Sequence, residues 1–148
     1  MEKKFTVFLN RFLIQSTFVA MSAVMPAQAA SLSWGTQQLG PAITTGLPRA
    51  TQSFPAPPEL ARSSAAVTIR KVHVSYRHGG RAVLKSRLCL DGGGPCVDMN
   101  GAVLNTSAFA GQDARRGFVL QHEVWSWAGS TTPVRVQADI QVWYERAD

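Results

Sequence analysis

The stretch from Val134 to Tyr144 constrains this chain more than any other. Val134, Val136, Ala138, Ile140, Val142 and Tyr144 share one phase of a two-residue period, and Arg135, Gln137, Asp139, Gln141 and Trp143 share the other. Successive side chains of a strand point to opposite faces, so this pattern is a strand with one face in a core and one in water. Such a strand needs partners of its own kind, and the chain supplies them. Phe118, Leu120, His122 and Val124 alternate, as do Leu84, Ser86, Leu88 and Leu90. Val67 and Ile69 keep one phase while Val72, Val74 and Tyr76 keep the other. The shift at Arg70-Lys71 is what a β-bulge does, by inserting one residue. Leu32 and Trp34 mark a short first strand. Turn residues stand at Arg77 to Arg81, Asn100-Gly101 and Ala128 to Pro133. Residues 102–116 show no clear period, and no stretch has the period of an amphipathic helix. Five to seven alternating strands joined by short turns predict an all-β fold, a small antiparallel β-sandwich in one domain.

The chain divides into three parts. Residues 1–29 begin with Lys3, Lys4 and Arg11, continue through an apolar run from Phe12 to Val24, and end in Ala27-Gln28-Ala29. A basic start, a short apolar core and an A-x-A ending predict a signal peptide cleaved after Ala29 and a periplasmic product. The run contains Gln15, Ser16, Thr17 and Ser22, and is too short and polar for a stable membrane span. Ala30 rather than Cys follows the cut, which argues against a lipid anchor. Cleavage removes three of 15 Lys+Arg and one of nine Asp+Glu, leaving a 119-residue chain of net charge +4. That charge is too mild to mark a nucleic-acid protein, and a soluble mature chain with no membrane insertion is expected. Residues 30–66 hold the short first strand and a Pro/Gly-rich loop from Leu39 to Ala66, where proline withdraws backbone donors. Residues 67–148 form the main sandwich portion.

The two cysteines lie in Leu88-Cys89-Leu90-Asp91-Gly92-Gly93-Gly94-Pro95-Cys96-Val97. In an exported chain an even pair reads as a disulfide. Asp91 to Gly94 make a four-residue hairpin loop, because glycine accepts the positive φ that a reversal needs. That loop sets Cys89 opposite Cys96, Leu88 opposite Val97, Ser86 opposite Met99 and Arg87 opposite Asp98. Apolar residues then meet apolar residues, opposite charges meet, and the sulfurs come within bridging reach. Two thiols are too few for a zinc site, and the spacing is not C-x-x-C.

No catalytic constellation emerges. His73, His78 and His122 lie in no metal-ligand spacing, and the chain has no G-x-S-x-G elbow. His122 falls in the apolar phase of its strand and reads as a hydrogen-bonded core histidine. Neither an enzyme nor a cofactor is expected. Binding is the remaining class. Trp143 lies in the outward phase of the last strand, with Gln141 and, eight residues away, Arg135. This polar stripe ending in an aromatic anchor is the candidate partner surface. Trp125 and Trp127 are read as packing over the end of the sandwich, with an interface role as the alternative. Lys85 and Arg87 share an outer face with the disulfide.

Several of these elements together resemble the flagellar protein FlhE family. They are Trp34 followed by Leu39-Gly40, Arg87-Leu88-Cys89 with Cys96-Val97, Phe109-Ala110-Gly111, Phe118, and the ending Ile140-x-Val142-x-Tyr144. The Cys-to-Cys loop, Leu90 to Pro95, is longer than the family's form. The resemblance implies a periplasmic, non-catalytic accessory of the flagellum, acting in assembly or in limiting proton leakage through the export apparatus. Its partner would be a flagellar export protein or a rod or basal-body protein. A general periplasmic binding or chaperone-like sandwich, capping partner strands, is the competing expectation.

Overall fold

A computed structural model describes residues 32–130 and 133–146. The expected signal peptide and its cleavage site lie outside the described residues. Eight strands and one short helix follow in order: β1 (Leu32–Ile43), β2 (Arg49–Phe54), α1 (Pro58–Ala61), β3 (Val67–His78), β4 (Val83–Leu90), β5 (Cys96–Met99), β6 (Val103–Thr106), β7 (Phe118–Ser126) and β8 (Val134–Arg146). They form two antiparallel four-stranded sheets, ordered β1-β8-β3-β6 and β2-β7-β4-β5. The sheets pack face to face as the expected sandwich and do not close into a barrel. Among the described residues no helix is long and apolar enough to cross a membrane.

Strand β8 fixes the first sheet. Its inward phase, Val134, Val136, Ala138, Ile140 and Val142, is buried throughout. The bulge expected in β3 is present as a register shift between Ile69 and Lys71, so both apolar phases of β3 reach the same core. The β4–β5 register is the expected one, including Cys89 opposite Cys96 and Arg87 opposite Asp98. The disulfide is formed across Cα atoms 4.0 Å apart. Gly92 and Gly93 take φ values of 74° and 79°, the left-handed conformation that the loop requires. Arg116 latches this loop by donating from its guanidinium to the Asp91 carbonyl.

Two stretches differ from expectation. The Pro/Gly-rich span Leu39–Ala66 is not a continuous loop. The first strand runs on to Ile43, and β2 and α1 follow. The prolines fall where no ladder N–H is needed. Pro41 sits in a register shift on the edge strand β1, Pro48 and Pro55 flank β2, and Pro58 opens the helix. Residues 102–116, which lack a period, contain β6, a strand of four residues. Beyond it the chain stays against the start of β3. Gln112 accepts from Ile69 N–H (2.8 Å), and Gly111 and Ala114 donate to Ile69 and Val67 (2.9 and 3.0 Å). Phe109 is thereby fully buried and meets Phe118 edge to face at 5.1 Å.

The core has two apolar parts. The larger gathers Trp34, Phe54, Leu60, Leu88, Leu90, Phe109, Phe118, Leu120, the inward valines and isoleucine of β3, and Ala138, Ile140 and Val142 of β8. The smaller, at the other end, gathers Ile43, Ala82, Val134 and Val136, with Trp127 packed against it. The interior also holds three buried polar side chains, Gln52, Ser86 and His122.

Candidate functional site

The buried polar residues form one hydrogen-bonded group. Gln52 Nε2 donates to the Gln38 carbonyl of the opposite sheet (3.2 Å), which turns Gln52 Oε1 toward His122 Nε2, also at 3.2 Å. An amide oxygen only accepts, so His122 carries its proton on Nε2. Its Nδ1 then accepts from the Ser86 hydroxyl at 2.8 Å. The edge-on Tyr76 ring, 5.1 Å away, completes the enclosure. Burial, with a smaller contribution from His78, pushes the His122 pKa down from 6.5 to about 4, so the ring is neutral. A Ser–His hydrogen bond is the arrangement of a nucleophile and its base. Here Ser86 and His122 are only 5% and 2% exposed, so the pair is enclosed between the two sheets.

The outer face of the first sheet carries the candidate stripe. Trp143 is half-buried between Ser33 and Lys71 of the flanking strands, with the Lys71 ammonium 5.7 Å from the ring centroid. Gln141 lies across Gly35, where a Cβ would collide with its Oε1, so Gly35 is the cradle of that side chain. Arg135 is exposed opposite Ala42. Eight residues of strand separate Arg135 from Trp143, about 26 Å at strand rise, so they occupy opposite ends of the stripe. Between them Gln137 accepts two hydrogen bonds from Arg77, at 2.9 and 2.7 Å.

The outer face of the second sheet is arranged in rows across its strands. One row is Ser53, Val119 and the Cys89–Cys96 bridge, the next Thr51, Gln121, Arg87 and Asp98, and the next Arg49, Glu123 and Lys85. Arg87 pairs with Asp98 at 2.6 Å and Arg49 with Glu123 at 3.0 Å. The Asp98 carboxyl is held below the usual carboxylate range by its hydrogen bond from Arg87. An open groove of about 840 Å³ follows these rows. The end of this face is apolar. The Pro48 carbonyl accepts from Val124 N–H (2.8 Å), which sets the turn residue Leu47 near the Trp125 end of β7, and Val83 pairs with Ser126 after a register shift. Leu47, Trp125 and Val83 are 69%, 67% and 50% exposed. Lys85 Nζ stands 3.3 Å from the centroid of the Trp125 ring.

The reading of the paired tryptophans therefore splits. Trp127 packs at the sandwich end as expected, whereas Trp125 stands outside. The sequence held the signal for this. Trp125 follows Val119, Gln121 and Glu123 in the outward phase of β7, by the same logic that turns Trp143 outward. Leu47 carried no such signal, because its neighbourhood shows no strand period.

No family model matches the chain, and no curated protein matches it. Solved structures do. A crystal structure of FlhE is similar with a TM-score of 0.59 at 19% identity, covering 79% of this chain and 98% of that one. A virus-like particle of the giant freshwater prawn Macrobrachium rosenbergii extra small virus also matches, at 13% identity with a TM-score of 0.27, over 90% of this chain and 95% of that one. At 19% identity the likeness to FlhE is one of fold, and it supports the resemblance carried by the sequence elements.

Proposed function

We propose that this chain is an exported, non-catalytic accessory protein of the bacterial flagellum. It acts from the periplasm by binding a protein of the export apparatus, rod or basal body, in assembly or in limiting proton leakage. The observation that carries this reading is the sandwich shared with FlhE over nearly the whole of that chain. The disulfide between Cys89 and Cys96 fits an oxidising compartment, and the outer sheet faces offer exposed surfaces on which a partner could bind. Deletion of the gene tests the proposal. The expected result is altered motility or flagellar number, or acidification of the cytoplasm in cells with an active export apparatus, with the envelope otherwise intact. Normal swimming, normal flagella and normal cytoplasmic pH under several growth conditions would overturn it. General envelope defects without a flagellar phenotype would favour the chaperone-like alternative. N-terminal sequencing of the periplasmic fraction should begin at Ala30, and an uncut cytoplasmic chain would remove the location.

A further inference from the structure

We propose that Leu47, Trp125, Val83 and Lys85 form a docking site for an acidic protein segment that inserts one apolar side chain. The inference rests on the reading above only in taking the chain to act by binding a protein. Exposed apolar side chains scattered singly need no explanation, but these three gather at one end of the second sheet, Val83 and Trp125 on the adjacent strands β4 and β7 and Leu47 in the turn before β2. An aromatic residue flanked by aliphatic ones, bordered by charge, has the composition of an interface centre with a polar rim.

Charge selects the occupant. Arg49 and Arg87 are each paired with a carboxylate on this face. Among the described residues Lys85 has no carboxylate within ion-pairing distance, and its ammonium rests on the Trp125 ring instead. A cation without an anionic partner therefore adjoins these apolar residues. A carboxylate arriving there gains an ion pair without breaking one. The contact between Lys85 and Trp125 also orders both groups in advance, which lowers the entropy lost on binding. A glycan would use the ring but leave Leu47 and Val83 without an apolar partner. A second copy would bring Lys85 and Arg49 against the same residues, and the net charge of +4 on the exported chain opposes self-association.

The probe is a random dodecapeptide phage library panned against the exported chain with its disulfide intact. Selected peptides should carry Asp or Glu beside Leu, Phe or Trp. A synthetic copy of one should bind more weakly as salt rises. Its Kd should rise at least about tenfold with Trp125→Ala and with Lys85→Glu, while both variants keep the parent melting temperature. Should Trp125→Ala unfold the chain, Lys85→Glu alone decides. Four results overturn the proposal: no selection of acidic apolar peptides, selected peptides indifferent to Lys85→Glu, displacement by soluble peptidoglycan fragments, and a dimer in sedimentation that Lys85→Glu or Trp125→Ala dissociates. A flagellar deletion phenotype without peptide binding would leave the flagellar reading standing and remove this site. Peptide binding without a phenotype would do the reverse.

Discussion

His122 holds an imidazole where a charge is costly, and that makes stability depend on pH. Unfolded, the ring takes its proton near pH 6.5, and folded only near pH 4. Between those values the unfolded chain binds more protons, so stability falls as pH drops from about 6.5 to about 4 and is fully present above that window. The shift corresponds to a loss of roughly 3 kcal/mol across the window. Urea unfolding at pH 7.5, 5.5 and 4 should show it, and NMR titration of the His122 ring should stay flat until below pH 5. A pH-independent midpoint would mean the ring reaches solvent. Gly117 makes a second residue-scale prediction. A Cβ there would stand 2.5 Å from the Phe54 carbonyl oxygen and 2.9 Å from Pro55 Cα, both backbone atoms of the adjoining segment. Gly117→Ala should cost about 1–3 kcal/mol, read as a lower denaturation midpoint, because the backbone cannot yield as a side chain would.

The β4–β5 hairpin is the element most fully legible in the sequence. Its register follows from a four-residue loop and is checked at once by four opposed pairs, all of them local. Reducing the bridge, or replacing both cysteines by Ala, should lower stability by roughly 2–3 kcal/mol for so short a closed loop. Chemical unfolding with and without reductant checks this, and unchanged stability would show that the loop is held by Arg116 and the ladder alone. The edge elements were not legible. Pro41 reads as a strand breaker until the fold places it on an edge with a register shift, where its missing N–H costs nothing. In β6 four residues are too few to display a period, and what keeps them in the sheet is β3, 28 to 34 positions earlier in the chain. Trp125 was legible by phase but lost to the general preference of tryptophan for burial, while Leu47 is placed only by the turn that brings β2 beside β7.

At the scale of the molecule, the two outer faces give opposed accounts of how the protein works, and complementation of the deletion separates them. Trp143→Ala removes a half-buried ring from the first sheet's stripe, and Trp125→Ala removes an exposed one from the second. On the docking proposal, Trp125→Ala should reduce motility rescue several-fold while the melting temperature stays within a few degrees. Trp143→Ala should reduce rescue instead if the stripe ending in Gln141 and Arg135 is the contact. A mutant that melts early in either case marks that ring as structural. The faces are not mechanically independent, however. Apolar burial is non-directional and by itself names no partner atom across the interface. The chain Ser86–His122–Gln52–Gln38 runs through the interior and joins β4, β7 and β2 to β1 by directed bonds. It works as a dowel between two plates. Shear of one sheet over the other would have to break the Gln52–Gln38 hydrogen bond, the link of this chain that spans the two sheets, so a pull on the tryptophan of one face is passed in part to the other sheet.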